Sequence, residues 1–151
     1  MALFFSLNQI KMYTIPLNVL KQIYKIDRER EVFAYDFDGV ISIGITPRSK
    51  SDIIITGRCI DEQEHVKSIL KERGIKCKVY FNPMTLAERG DHTVKARTFS
   101  GNHKANTISK LKEDGIKVVR FFEDDPIQRE LILKSHPELP VVHVVSKLVQ
   151  K

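Results

Sequence analysis

Two aspartates one residue apart, Asp36 and Asp38, close a short apolar run inside the stretch Glu31 to Ile41, which reads E-V-F-A-Y-D-F-D-G-V-I. Side chains of an extended segment alternate with a period of two, so both carboxylates point to the same side. Carboxylates held that close repel each other unless a cation or a proton lies between them. Gly39 permits a sharp departure of the backbone straight after the pair and leaves it exposed at a strand end. Such a pair suits metal binding, or a division of labour between a nucleophile and an acid/base. Taken alone, D-x-D describes an acidic turn after a strand equally well.

Three further groups of the same kind lie downstream. Thr56-Gly57-Arg58 follows the apolar run that begins at Asp52, and Glu123-Asp124-Asp125 follows another that begins at Ile116. Lys104 lies in N-H-K-A-N-T-I-S-K-L-K, ahead of that later run. Each has a plain structural alternative: a strand-to-helix turn with a solvated arginine, a surface charge at Glu123, a helix cap at Asp124 or Asp125. Lys95 and Lys110 compete with Lys104. His92, His103 and His143 have no metal-ligand spacing between them. Two acidic strand ends, a hydroxyl-Gly-Arg end and a lysine become one constellation only if a common sheet edge gathers them.

The elements that would do so are legible as local patterns. Apolar runs are expected to form strands at Val32–Tyr35, Asp52–Thr56, Lys76–Phe81, Ile116–Phe122 and Val141–Val145. Helical spacing is expected from Asp61 to Arg73 with Gly74 as its stop, and from Asn102, as N-cap, to Glu113 with Gly115 as its stop. A further helix opens at Pro126 and ends before Pro137. Residues 84–101 lack periodicity and read as irregular. Pro16 opens a helix carrying Leu17, Leu20, Ile23 and Tyr24, so residues 1–30 form an N-terminal extension and 31–151 the main domain. Apolar strands alternating with helices predict a parallel sheet buried on both faces, that is, a single doubly wound α/β domain of about five strands. Ligands of such sheets bind beyond the carboxyl ends of the strands.

Composition sets bounds on the rest. A chain of 151 residues with 42% hydrophobic and 29% charged residues is that of an ordinary globular protein able to bury a core. No apolar run is long enough for a membrane span, and the opening M-A-L-F-F-S-L lacks the basic n-region of a signal peptide. Cys59 and Cys77 form no C-x-x-C pair and read as reduced structural thiols of a cytoplasmic protein. The net charge of +6 is compatible with a polyanionic partner, and equally with solvated surface.

These residues resemble the motifs of the haloacid dehalogenase-like phosphohydrolases. D-x-D-x-[TV] after an apolar strand matches Asp36-Phe-Asp38-Gly-Val40, and the strand-closing Thr or Ser matches Thr56 in T-G-R. The family's lysine matches Lys104, and its acidic fourth motif matches F-F-E-D-D-P at 121–126. The resemblance spans roughly residues 32–145 and keeps all four motifs in order. It implies Asp36 as a nucleophile that becomes an aspartyl-phosphate, and Asp38 as the acid/base. It implies Mg²⁺ held by Asp36, the Asp38 carbonyl, and Asp124 or Asp125. Thr56, Gly57 and Arg58 would contact phosphate or substrate, and Lys104 would offset charge beside Asp36.

Only 13 residues separate Asp38 from Asp52 and 20 separate Phe81 from Asn102, too few for a cap domain. An open site favours a large substrate, or one completed by a partner. Within the family the layout is similar to the 3′-phosphatase domains of polynucleotide kinase-phosphatases, with Arg89, His92, Lys95 and Arg97 placed to follow a nucleic-acid backbone. No G-x-x-x-x-G-K-[ST] loop accompanies it, so no kinase half is present. Nucleotides, phosphoproteins and small sugar phosphates remain alternative substrates, and a catalytically silent binding protein is the alternative function. Retention of both aspartates, the lysine and the acidic pair argues against that last reading.

Overall fold

The computed structural model describes residues 14–20 and 29–146. Strand β1 (Arg30–Tyr35) leads through a tight turn at Phe37–Ile41 to β2 (Ile53–Cys59), α1 (Gln63–Glu72) and β3 (Lys78–Asn82). Helices α2 (Leu86–Arg89) and α3 (Val94–Glu113) follow, then β4 (Ile116–Glu123), α4 (Pro126–Ser135) and β5 (Val141–His143). The five strands form one parallel sheet in the order β3-β2-β1-β4-β5. The architecture is α/β and compatible with a Rossmann-like fold. Residues 17–20 make a helical turn, with Leu20 N–H on the Pro16 carbonyl; Ile23 and Tyr24 lie outside the described residues.

Alternation along the strands sorts the core into two clusters. Val32, Ala34, Ile53, Ile55, Phe121 and Val141 join Ile108 and Leu111 of α3 and Ile132 of α4. Tyr35 and Ile54, with the half-buried Phe33, Val79 and Phe122, join Val66 and Leu70 of α1. A strand fed from both sides in this way needs apolar residues at successive positions, which is why β1 and β2 read as unbroken runs. The carboxylate of Asp52, at the start of β2, is buried in the sheet and takes hydrogen bonds from Phe33 N (3.0 Å), Tyr35 Oη (3.1 Å) and Arg48 Nη2 (2.8 Å).

Two expectations need correction. Residues 84–101 are mostly helical: α3 starts at Val94, and its N-cap is Thr93, whose hydroxyl accepts the Ala96 N–H at 3.0 Å. Asn102 is an exposed mid-helix residue, and Lys104 lies near the middle of a 20-residue helix instead of in its first turn. The helix escapes periodicity because the positions it buries include Ala96, Ser100, Gly101 and Lys104, small or polar residues that leave no apolar stripe. Nor does β2 end at Thr56 as expected. The strand runs on to Cys59 with an irregular register after Ile55, and Gly57 serves close approach instead: a Cβ there would meet Ser100 Oγ of α3 at 2.5 Å.

Candidate active site

The strand order sets where a site can form. From β1 the chain moves outward through β2 to β3, then returns past β1 to β4 on the other side. The crossovers thus part between β1 and β4, and a crevice opens beyond their carboxyl ends. Asp36 follows the last residue of β1, and Glu123 is the last of β4. After a register shift between Val32 and Phe33 the two strands pair up to Tyr35 opposite Phe122, and Asp36 N–H continues the ladder onto the Phe122 carbonyl at 3.0 Å.

Asp36, Glu123 and Asp124 each offer a carboxylate oxygen to a cluster whose atoms lie within 4.8 Å of one another. Lys104 reaches in from α3: its Nζ is 3.0 Å from Asp36 Oδ1 and 2.6 Å from Glu123 Oε2. The lysine is only 1% exposed. Burial pushes its pKa down, but the Asp36 and Glu123 carboxylates more than reverse this and hold it above its ordinary value. One ammonium among three acids leaves excess negative charge. Burial, followed by Glu123, therefore raises the Asp36 carboxyl well above the usual range against the opposing pull of Lys104. Burial also lifts Asp124, to about 6.

The three acids are not equivalent. Glu123 is fully committed: Oε2 takes Lys104, and Oε1 accepts the N–H groups of Asp124 (3.1 Å) and Asp125 (3.2 Å). Asp36 and Asp124 line the cleft. Gly39, at φ +76°, allows their approach, because a Cβ there would stand 2.0 Å from Asp124 Oδ2. Crowded oxygens with too few donors suit a hard divalent cation, and this donor set fits Mg²⁺.

Asp38 faces elsewhere. Its half-exposed carboxylate holds Arg58 in a two-pronged pair, Nε to Oδ2 and Nη2 to Oδ1, both 2.9 Å. Arg58 also reaches Glu62 Oε2 at 2.7 Å. Thr56 is fully buried, with Oγ1 accepting the Arg58 N–H at 3.0 Å, and lies outside the cleft lining, whereas Gly57 and Arg58 are within it. Asp125 stands apart from the three-acid cluster. It caps α4 through Ile127 N–H (3.1 Å), takes Arg97 Nε at 3.0 Å, and takes Gln128 Nε2 at 2.8 Å. Of the two candidate acids, Asp124 thus joins Asp36.

These groups surround a cleft of about 400 Å³. Arg89 and Arg97 line it, but Arg89 is tied to the Gly57 carbonyl at 2.6 Å and Arg97 to Asp125. Lys95 and Lys110 are exposed and contribute nothing to the cluster. His103 is held neutral, its pKa lowered to about 4 by burial, with Nε2 3.4 Å from the Tyr80 carbonyl. His143 Nε2 lies 3.1 Å from the Asp124 carbonyl and steadies that turn. Glu123 is the central residue whose place the sequence leaves open. Its one signal is the alternation at the end of β4, which puts position 123 on the same side as the buried Phe121.

Comparison of the chain with protein-family models, curated proteins and solved structures yields no match. No helix among the described residues is long and apolar enough to cross a membrane.

Proposed function

We propose that this chain is a phosphohydrolase of the haloacid dehalogenase-like kind, doubly wound and without a cap domain, acting on a phosphate monoester. The observation that carries the reading is the convergence of Asp36, Lys104 and Asp124 at the β1/β4 crevice, with Asp38 and Arg58 on its rim. A phosphoryl transfer needs a nucleophile, a proton for the leaving oxygen, and charge cancellation on the transferring group.

Asp36 is the nucleophile. Oδ1 is fixed by the Phe37 N–H (2.8 Å) and by Lys104, which leaves Oδ2 to attack phosphorus. The P–O bond to the leaving alcohol breaks as the new Asp36–phosphate bond forms, and Asp38 delivers the proton that the alcohol oxygen requires. In the second half Asp38 takes a proton from water, whose oxygen displaces Asp36 from phosphorus and releases phosphate. Asp38 belongs in this role because its carboxylate is half exposed and turned away from the buried acids. Lys104 orients Asp36 and opposes the burial and the Glu123 charge that raise its pKa, and Arg58, paired with Asp38 and Glu62, lines the cleft where substrate oxygens would enter. Asp36, Asp124 and the Asp38 carbonyl would hold Mg²⁺, which supplies charge neutralisation on the phosphoryl group when bound.

The test is a phosphate-release panel spanning oligonucleotide ends, nucleotides, sugar phosphates and a phosphopeptide, with Mg²⁺ and with EDTA. Release from at least one class, silenced by EDTA and restored by Mg²⁺, is expected. Turnover indifferent to metal, or none with any class, would sink the reading.

A further inference from the structure

The basic residues of the chain are unevenly placed. Residues 67–78 carry Lys67, Lys71, Arg73, Lys76 and Lys78 against one acid, Glu72, a run of positive charge across the end of α1, the turn after it and the first residue of β3. The four lysines are exposed and rim a hollow of about 460 Å³. None of them enters an ion pair among the described residues, whereas Arg58, Arg89 and Arg97 of the cleft each lie against a carboxylate. The charge of the cleft arginines is answered inside the molecule; that of the lysines is not.

Aromatic rings accompany them. β3 is an edge strand, and its half-buried Tyr80 and Phe81 turn to opposite faces of the sheet. Lys78 Nζ lies 5.0 Å from the Tyr80 ring centre and Lys67 Nζ 5.9 Å from that of Phe81. Lysines four apart on a helix, as Lys67 and Lys71 are on α1, rise about 6 Å along its axis. That spacing is comparable to the step between successive phosphates of an extended nucleic-acid chain, and Lys76 and Lys78 follow just before and at the start of β3. Cations at that interval beside ring surface are the elements of a single-strand binding groove.

We propose that this edge docks a single nucleic-acid strand, its phosphates along Lys67, Lys71, Lys76 and Lys78 and its bases against Phe81, the ring on the α1 side. A lipid surface fits less well, because no large exposed hydrophobic side chain lies in the patch to insert into it. The path onward leads to the cleft. β3 runs about 13 Å from Lys78 to Asn82, the Met84 carbonyl is tied to Ile60 N–H, and α2 then carries Arg89 into the lining. A docked strand would present its end to Asp36. That last step rests on the phosphohydrolase reading; the docking does not.

Fluorescence anisotropy of the full chain with a labelled oligothymidylate of about twelve nucleotides measures the docking. The variant K67Q/K71Q/K76Q/K78Q should bind about tenfold more weakly or worse at low salt, with the log–log salt slope shallower by roughly 0.7 for each phosphate no longer neutralised. The variant K67R/K71R/K76R/K78R should preserve binding, and hydrolysis of p-nitrophenyl phosphate should be unchanged in both variants. Unchanged oligonucleotide affinity in the glutamine variant overturns the proposal, and if that variant also aggregates, the lysines serve to protect the sheet edge. Displacement by polyglutamate as effective, charge for charge, as by oligonucleotide also overturns it, as does preference for phosphatidylserine vesicles. Oligonucleotide binding without phosphate release from any substrate would remove the enzymatic reading and leave the docking standing.

Discussion

Two buried carboxylate sites flank the same strand and are built on opposite terms. Asp52, beside the middle of β1, is 2% exposed, and its oxygens receive Phe33 N–H, Tyr35 Oη–H and the N–H, Nε and Nη2 donors of Arg48. At the carboxyl end of β1 three acids share one lysine, and Glu123 takes most of the local donors for itself. Burial pushes up the pKa at both places. At Asp52 the hydrogen bonds from Arg48, Phe33 and Tyr35 overcome it and leave the carboxyl below its ordinary value. At Asp36 burial and Glu123 prevail over Lys104. The difference teaches that depth alone does not make a buried acid reactive; the ratio of donors to carboxylates does. A saturated acid stabilises the fold, and an unsaturated group calls for a cation and can do chemistry.

The contrast can be broken by substitution. In the proposed phosphohydrolase, Asp36→Asn should lower phosphate release by at least about 10⁴-fold with an unchanged circular dichroism spectrum. Retained turnover would remove Asp36 as the nucleophile. Asp52→Asn should leave the turnover number within about twofold, since a change confined to stability does not enter it.

Lys104→Met should cost about 3–5 kcal/mol in urea unfolding, because it strands buried carboxylates without the only cation that pairs with them among the described residues. Asp52→Asn should cost about 2–3 kcal/mol, the scale of the charge-assisted hydrogen bonds it weakens. A Lys104 variant as stable as the native chain would mean that the acids at the crevice are not mutually repelling.

Saturating Mg²⁺ should raise stability in urea by about 2.7 kcal/mol at a hundredfold excess over its dissociation constant. Asp124→Asn should abolish most of that gain, and Asp52→Asn should keep it. An equal response in both would detach the metal from the crevice.

The smallest effect concerns pH. The folded pKa of Asp52 lies below its unfolded value, so its contribution is present above about pH 4 and is lost as pH falls through the folded pKa. The stability gap between the native chain and Asp52→Asn should be flat from neutrality to about pH 5 and close below that. A gap that widened on acidification would contradict the saturated-acid account.

Much of the architecture is legible locally. Strands announce themselves by unbroken apolar runs, so the α/β class, the five parallel strands and the acidic ends at 36–38 and 123–125 can be read from the chain. The helix from Val94 cannot, because what it buries is mostly small or polar, and Thr93 resembles any loop threonine. The turn at Thr56-Gly57-Arg58 reads as a strand stop, whereas Gly57 lies inside β2, where Ser100 of α3 leaves no room for a Cβ. Asp124 and Asp125 are indistinguishable as neighbours. In space one leans over Gly39 toward Asp36, and the other is taken by Arg97 and the α4 cap.

The sequence by itself determined which chemical groups stand at the strand ends, since a strand and its terminus are encoded in a few consecutive residues. Only the tertiary structure decided which of them meet. It brought Lys104, not Lys95 or Lys110, between Asp36 and Glu123, and it turned Asp38 toward Arg58. Those contacts join segments far apart in the chain, and their geometry follows from strand order and from how closely α3 approaches the sheet. No local pattern carries that information.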